Sequence, residues 1–425
     1  MRLKNILFAS SLALSTAFAA SAEITAFTGA DVWTGTGEGM IEDGTVLIED
    51  GVVLAVGAGI PVPAGATTVD ASGKWITPGI IASFSRVGLV EVPAEDSTND
   101  TSAGGSKFSV ALDASKSFNP AATPIDVTRI EGVTRVIVAP NASSSLFAGR
   151  GFAADTSGDL RTSMTAPRLF QFMVLGESGA GRSGGSRDSA WRYLNGALLD
   201  ARTFPARYLT HDLGDSLRRA DAEALQPVIR GEMPLVIQAN RASDLLEIVR
   251  FKEANQRLNI VIVGAVEGWM VAEDLAEAGI PVIVDPFNNL PASFEKLGAT
   301  MHNAERLIEA GVQTAFMHFE DDGHQARLVL QSAGIAVANG VDFDDAMMAI
   351  TSVPASIFGL SDLGSLAPGN RADLVIWDGD PLEVMTTTEA VYIDGVEQSL
   401  ESRQTKLRDR YLNADLTEKP AAFER

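Results

Sequence analysis

The sequence predicts an α/β protein: a large central domain of alternating strands and helices, and a small β domain built from both chain ends. Three observations carry this reading. Strand-like apolar runs alternate with helical patterns through the middle of the chain. Segments of strands and tight turns, alike in style, occupy both ends. The chain has 425 residues, 46% of them hydrophobic, which at about 150 residues per domain suits roughly two to three domains.

Composition narrows the function classes. A formal net charge of -22 puts an acidic surface on the protein, which repels phosphate backbones and argues against a nucleic-acid partner. Without cysteine, disulfides, thiolate metal sites and a cysteine nucleophile are all excluded. Histidine is scarce: His211, His302, His318 and His324 are the four in the chain.

The chain opens on MRLKNILFASSLALSTAFAASA, residues 1–22. Arg2 and Lys4 precede an apolar stretch from Ile6 to Phe18, and Ala20-Ser21-Ala22 is a small-residue cleavage site. This is the pattern of a secretory signal peptide, too short for a membrane span, and it predicts export to a bacterial periplasm with cleavage after Ala22. No later stretch reaches the roughly 18 uninterrupted apolar residues of a transmembrane helix.

From residue 24 to about 76 short strands alternate with turns. Asp43-Gly44 and Asp50-Gly51 supply the left-handed conformations that hairpin turns require. Strands are then expected over 133–139, 235–237, 260–263, 280–284 and 312–316, with helices over 242–255, 269–278 and 304–310. Such alternation implies parallel strands joined by helical crossovers, as a barrel or a doubly wound sheet, and the roughly 280 residues available suit a (β/α)8 barrel. Residues 91–124 and 176–190 read as loops. The glycines of the second loop lack the Gly-Lys-Ser/Thr of a phosphate-binding loop. Strand and turn chemistry returns in Asp373-Leu374-Val375-Ile376-Trp377 before Asp378-Gly379, and in Ala390-Val391-Tyr392-Ile393 before Asp394-Gly395.

Two motifs carry a resemblance. Lys74-Trp75-Ile76-Thr77-Pro78-Gly79-Ile80-Ile81 is similar to the entry into the first barrel strand of the amidohydrolase superfamily. The run Ile350-Thr351-Ser352-Val353-Pro354-Ala355, with Phe358-Gly359-Leu360, Gly364 to Gly369 and Ala372 to Val375, resembles that superfamily's exit from barrel to β domain, in its exported, imidazolonepropionase-like branch. The resemblance implies a (β/α)8 TIM-like barrel plus a small composite β-sandwich built from both chain ends. Its boundaries are residues 1–22 for the signal peptide, 23–76 for the first part of the sandwich, 77–358 for the barrel, and 359–425 for the rest of the sandwich and the tail.

The resemblance also implies a metal-dependent hydrolase of carbon–nitrogen bonds other than peptide bonds, with zinc as the family cofactor. Histidines and an aspartate at strand ends hold the cation, which lowers the pKa of bound water and polarises a carbonyl. This sequence departs from that pattern. The His-x-His positions fall on Phe84-Ser85-Arg86, the next histidine strand delivers Gln238-Ala239-Asn240, the following one runs into Gly264-Ala265, and the aspartate position falls at or near Phe319. No lysine ends a strand-like run. Phe84 cannot ligate, Arg86 sets a fixed positive charge where a dication would sit, and amides such as Gln238 and Asn240 are poor zinc ligands. No cofactor is therefore expected.

The remaining chemistry-bearing cluster is His318 and His324 with Glu320, Asp321 and Asp322 between them. His318, Glu320 and His324 are the weak catalytic candidates. His211 and His302 read as surface residues, and Ser85 lacks a histidine base. Two functions follow: a hydrolase acting through an altered site, or a non-catalytic homologue that binds an anionic small molecule at Arg86, Gln238 and Asn240 or partners an active paralogue. In the second reading Arg86 either takes a carboxylate or pairs with Asp285 or Glu267. Homo-oligomerisation is a further expectation.

Overall fold

The computed structural model describes residues 24–318 and 323–412. The expected signal peptide therefore lies outside the described residues. No helix among those described is long and apolar enough to cross a membrane.

The first strands are Ile24–Trp33 (β1), Met40–Glu49 (β2), Val52–Ala58 (β3), Thr67–Asp70 (β4) and Trp75–Pro78 (β5). Asp50-Gly51 turns β2 into β3, both residues having positive φ (48° and 82°). Asp43 has φ 49° as well, but it lies inside β2, where the pairing with β1 slips around Ala30. The left-handed preference read there as a hairpin thus serves a bulge.

A second series follows: Ile80–Ser85 (β6), Val133–Val138 (β7), Phe147–Asp155 (β8), Met164–Val174 (β9), Leu235–Ala239 (β10), Ile260–Gly264 (β11), Val282–Val284 (β12) and Thr314–Phe316 (β13). They form an eight-stranded sheet in sequence order. Its two edges meet where the Ser83 hydroxyl donates to the carbonyl of Phe316. The segment 349–350 bridges the same edges, accepting from Phe316 N (2.9 Å) and Ile81 N (2.8 Å). The result is a nearly closed barrel.

One strand departs from a regular (β/α)8 arrangement. β8 is antiparallel to both β7 and β9, while the other neighbouring pairs are parallel. The connections 139–146 and 156–163 are too short for a helical crossover and permit a meander only.

Alternation sorts the side chains. Val236, Val261, Val263, Ile283 and Ala315 fill the lumen with Phe84, Phe170, Phe172 and Phe358. Leu235, Ile237, Ile260, Ile262 and Val282 face outward, in one core with helices such as Ala242–Ala254 and Asn303–Glu309. These two helices stand where the apolar periodicity places them. The third expected helix begins as a 3-10 turn, Gly268–Val271, and continues as Ala272–Glu277.

Residues 176–190 are not the loop expected. Gly176–Arg182 is a helix, and Arg187 begins another that ends at Arg202. The first has no local side-chain cap; instead Glu295, far along the chain, accepts from Glu177 N at 2.8 Å. The first helix therefore lacks a start signal of its own, whereas the second is preceded by Ser186 at its N-cap.

The last strands, Leu374–Trp377 (β14), Thr388–Ile393 (β15) and Val396–Glu397 (β16), return to the first five. β14 runs antiparallel to β5, so both chain ends join in one eight-stranded sheet. Arg135 of β7, 1% exposed, locks this sheet to the barrel. Its guanidinium meets Asp373 through two bonds (2.6 and 2.9 Å) and Asp394 through one (2.8 Å). Burial alone would lower its pKa, but the carboxylates of Asp373, Asp394 and Asp155 raise it, so the charge is fixed.

Candidate active site at the barrel mouth

In a barrel of this kind chemistry belongs to the face where the parallel strands end. β6 brings Phe84 and Arg86 there. Phe84 is 5% exposed, with its ring edge-on to Phe172 of β9 at 5.2 Å between centroids. Arg86 lies over both rings, its guanidinium carbon 4.8 Å from the Phe84 centroid and 5.9 Å from that of Phe172. Its Nε donates to Asn141 Oδ1 (2.8 Å) and Nη1 to the Ser85 carbonyl (3.1 Å). Two buried rings contribute about 1.5–3 kcal/mol each, and the stacked cation about 0.5–2 more. The position at which the resemblance expects the first two metal ligands is therefore a packed aromatic plug under a guanidinium.

β10 places Gln238 on the same strand face as Val236, half-buried toward the lumen. Asn240 is buried and points elsewhere: its Nδ2 donates to Glu295 Oε1 at 2.9 Å. At the end of β11, Gly264 has φ +101°, and a Cβ there would fall 2.5 Å from Asn240 Oδ1. A histidine at that position would need both a strained backbone and a displaced Asn240. Glu267, one proposed partner of Arg86, instead accepts from Ala242 N (3.0 Å) and Gly298 N (2.9 Å).

Across the mouth, His318 follows β13. Its Nδ1 is 3.3 Å from the hydroxyl of Ser332, which is buried and in turn lies 3.5 Å from Asp285 Oδ1. This order does not make a nucleophilic triad, in which the histidine stands between serine and carboxylate. Ser332 here occupies the middle and is closed off from substrate. His324 is exposed, while Phe319, Glu320, Asp321 and Asp322 lie outside the described residues. His211 is exposed, and exposed His302 precedes a helix, sharing its Nδ1 with Glu305 (2.8 Å) and the Asn339 carbonyl (3.1 Å). Among the described residues no three acidic or histidine side chains gather as a metal would need. The described donors at the mouth do not make up a zinc ligand set.

Phe172, Asn141 and Glu295 were not singled out from sequence. Each reaches the mouth from a distant segment, and nothing in the local pattern marks them.

Comparison with known proteins accords with this architecture. The signature described as Amidohydrolase family matches residues 252–402. An amidohydrolase from Thermotoga maritima superposes with a TM-score of 0.77 at 27% identity, over 88% of this chain and 99% of that one. The imidazolonepropionase of Streptomyces griseus is 24% identical across 81% of this chain and 88% of its own length. The chain is similar in sequence and in fold to the amidohydrolase superfamily. Within it the similarity is to the imidazolonepropionase-like members. Amidohydrolase tasK of Hapsidospora irregularis is 25% identical over 84% of this chain, which spans 40% of that protein's length.

Proposed function

We propose that this amidohydrolase-family protein is exported to a periplasm and uses its barrel mouth as a metal-free binding site for a small carboxylate. The observation that carries the reading is the stack of Arg86 on Phe84 and Phe172, which sets aromatic rings and a fixed cation where relatives of the family need ligands. A guanidinium presents a planar fork suited to carboxylates, and its neighbour Asn141 already fixes its orientation. Among the described residues catalysis by metal-activated water has no ligand set, and pairing with an active paralogue is the role this state fits. Six of the eight small-sheet strands, β1, β2, β3, β5, β14 and β15, share one core around Phe27, Val32, Ile48, Val53, Ile76, Leu374 and Tyr392, which supports a two-layered, sandwich-like closure.

A second reading is hydrolysis of a carbon–nitrogen bond other than a peptide bond, favoured by likeness to the family. Its candidates are His318, Glu320 and His324. Calorimetric titration separates the two. The proposal expects no stoichiometric zinc binding, and carboxylate binding that Arg86→Ala abolishes. Tight zinc binding, or carboxylate affinity unchanged in Arg86→Ala, overturns it.

A further inference from the structure

Beside the mouth lies a second feature that the barrel site does not use. The loop 139–146 touches Arg86 through Asn141, and its other side, Ser144 and Ser145, lines a cleft of about 330 Å³. Tyr193, Lys107 and Ser216 complete the part of the lining that matters here. Two buried carboxylates set the walls. Asp200, with no exposed surface, accepts from Asp215 N (3.0 Å), Ser216 N (2.8 Å) and Leu217 N (2.9 Å). Asp221 accepts from Ser109 N (3.0 Å) and Ala111 N (2.8 Å) on the opposite wall.

Burying a carboxylate costs several kcal/mol unless its hydrogen bonds are well made. Here two are engaged in fixing loop backbone, which is the arrangement of a preorganised site. Gly214 belongs to the same design: a Cβ there would lie 2.3 Å from the Tyr208 hydroxyl and 2.5 Å from Asp200. The acidic groups at the cleft are already engaged, since Asp215 pairs with Arg207 and Asp221 holds backbone. Arg218 pairs with Asp212 at 3.4 Å. Lys107, stacked 5.1 Å above Phe108, has no carboxylate partner among the described residues. On a chain of net charge -22, the cleft offers an available ammonium surrounded by hydroxyl groups.

We propose that this cleft binds a small hydroxylated organic anion. Lys107 takes the anionic group, and Tyr193 with the serines of both walls takes the hydroxyls. The site is separate from the barrel mouth, so the two readings stand or fall apart.

The test is calorimetric titration of the full chain with D-glucuronate, which carries charge and hydroxyls, alongside D-glucose and acetate, which carry one each. D-Glucuronate is expected to bind more tightly than either control. Lys107→Gln, an exposed change that leaves the fold intact, should weaken it at least tenfold, Tyr193→Phe several-fold, and Arg86→Ala not at all. Absent D-glucuronate binding, equal binding of D-glucose, or unchanged affinity in Lys107→Gln overturns the proposal. Loss in Arg86→Ala with retention in Lys107→Gln also overturns it, and assigns the ligand to the barrel mouth instead.

Discussion

Phe84 occupies a position at which the family resemblance calls for histidine, and its surroundings have adapted to the ring. Phe172 packs against its edge, and Arg86 covers both. Truncation to Phe84→Ala removes a buried ring from between neighbours that cannot collapse fully, so about 3–5 kcal/mol of stability should be lost in chemical denaturation. A loss under about 1 kcal/mol would mean that the ring is not packed as described. Restoring histidine at this one strand, as Phe84→His with Arg86→His, should not create stoichiometric zinc binding. Gly264 and Asn240 leave no room for a histidine at the end of β11, and Gln238 stands where the resemblance expects another ligand. Calorimetry with zinc checks this, and a one-to-one isotherm would contradict it. Phe84, Arg86, Gln238 and Gly264 could be named from the sequence because a strand motif fixes their position, and their role as a site belongs to the proposal. Phe172 was not, since a phenylalanine in an apolar strand carries no mark of the residue it will touch.

At the scale of elements, long-range polar contacts decide what propensity leaves open. Gly176–Arg182 is glycine-rich and uncapped by its own neighbours, yet Glu295 binds its first turn and Asn240 together. Glu295→Ala strands two donors, at a cost of about 1–3 kcal/mol, and should speed amide exchange at Glu177. Unchanged exchange there would show that the helix start does not depend on Glu295. Arg135 plays the corresponding part between β7 and the turn before β14. Arg135→Met leaves Asp373 and Asp155 buried without their cation, so about 3–5 kcal/mol should be lost. A change below about 1 kcal/mol would contradict a shared lock between barrel and small sheet. The expected helices at 242–255 and 304–310 were readable because an amphipathic period of 3.6 residues survives in both. The reversal of β8 was not, because strand direction follows from the loops on either side and not from the strand itself.

For the whole molecule, the joining of the two chain ends was the feature most visible in sequence, through the matched turns at Asp50-Gly51 and Asp394-Gly395. Its charge pairs give a pH signature. The Arg371 hydrogen bond holds the Asp362 carboxyl below the ordinary aspartate value of 3.8, against the opposing effect of burial. A folded pKa that is depressed contributes stability above the unfolded value, which is lost as pH falls through the folded one. The melting temperature should therefore decline below about pH 4, and less steeply in Asp362→Asn; an identical acid limb in that variant would remove the pair from the account. Likeness to the amidohydrolases and the barrel architecture tie this chain to its relatives, while the metal-free mouth is what we propose for this chain. The most direct test of that difference is the metal content of the purified full chain after equilibration with zinc and exhaustive dialysis. The account predicts far less than one zinc per chain. One tightly held zinc per chain, lost on chelation and recovered on readdition, would contradict it.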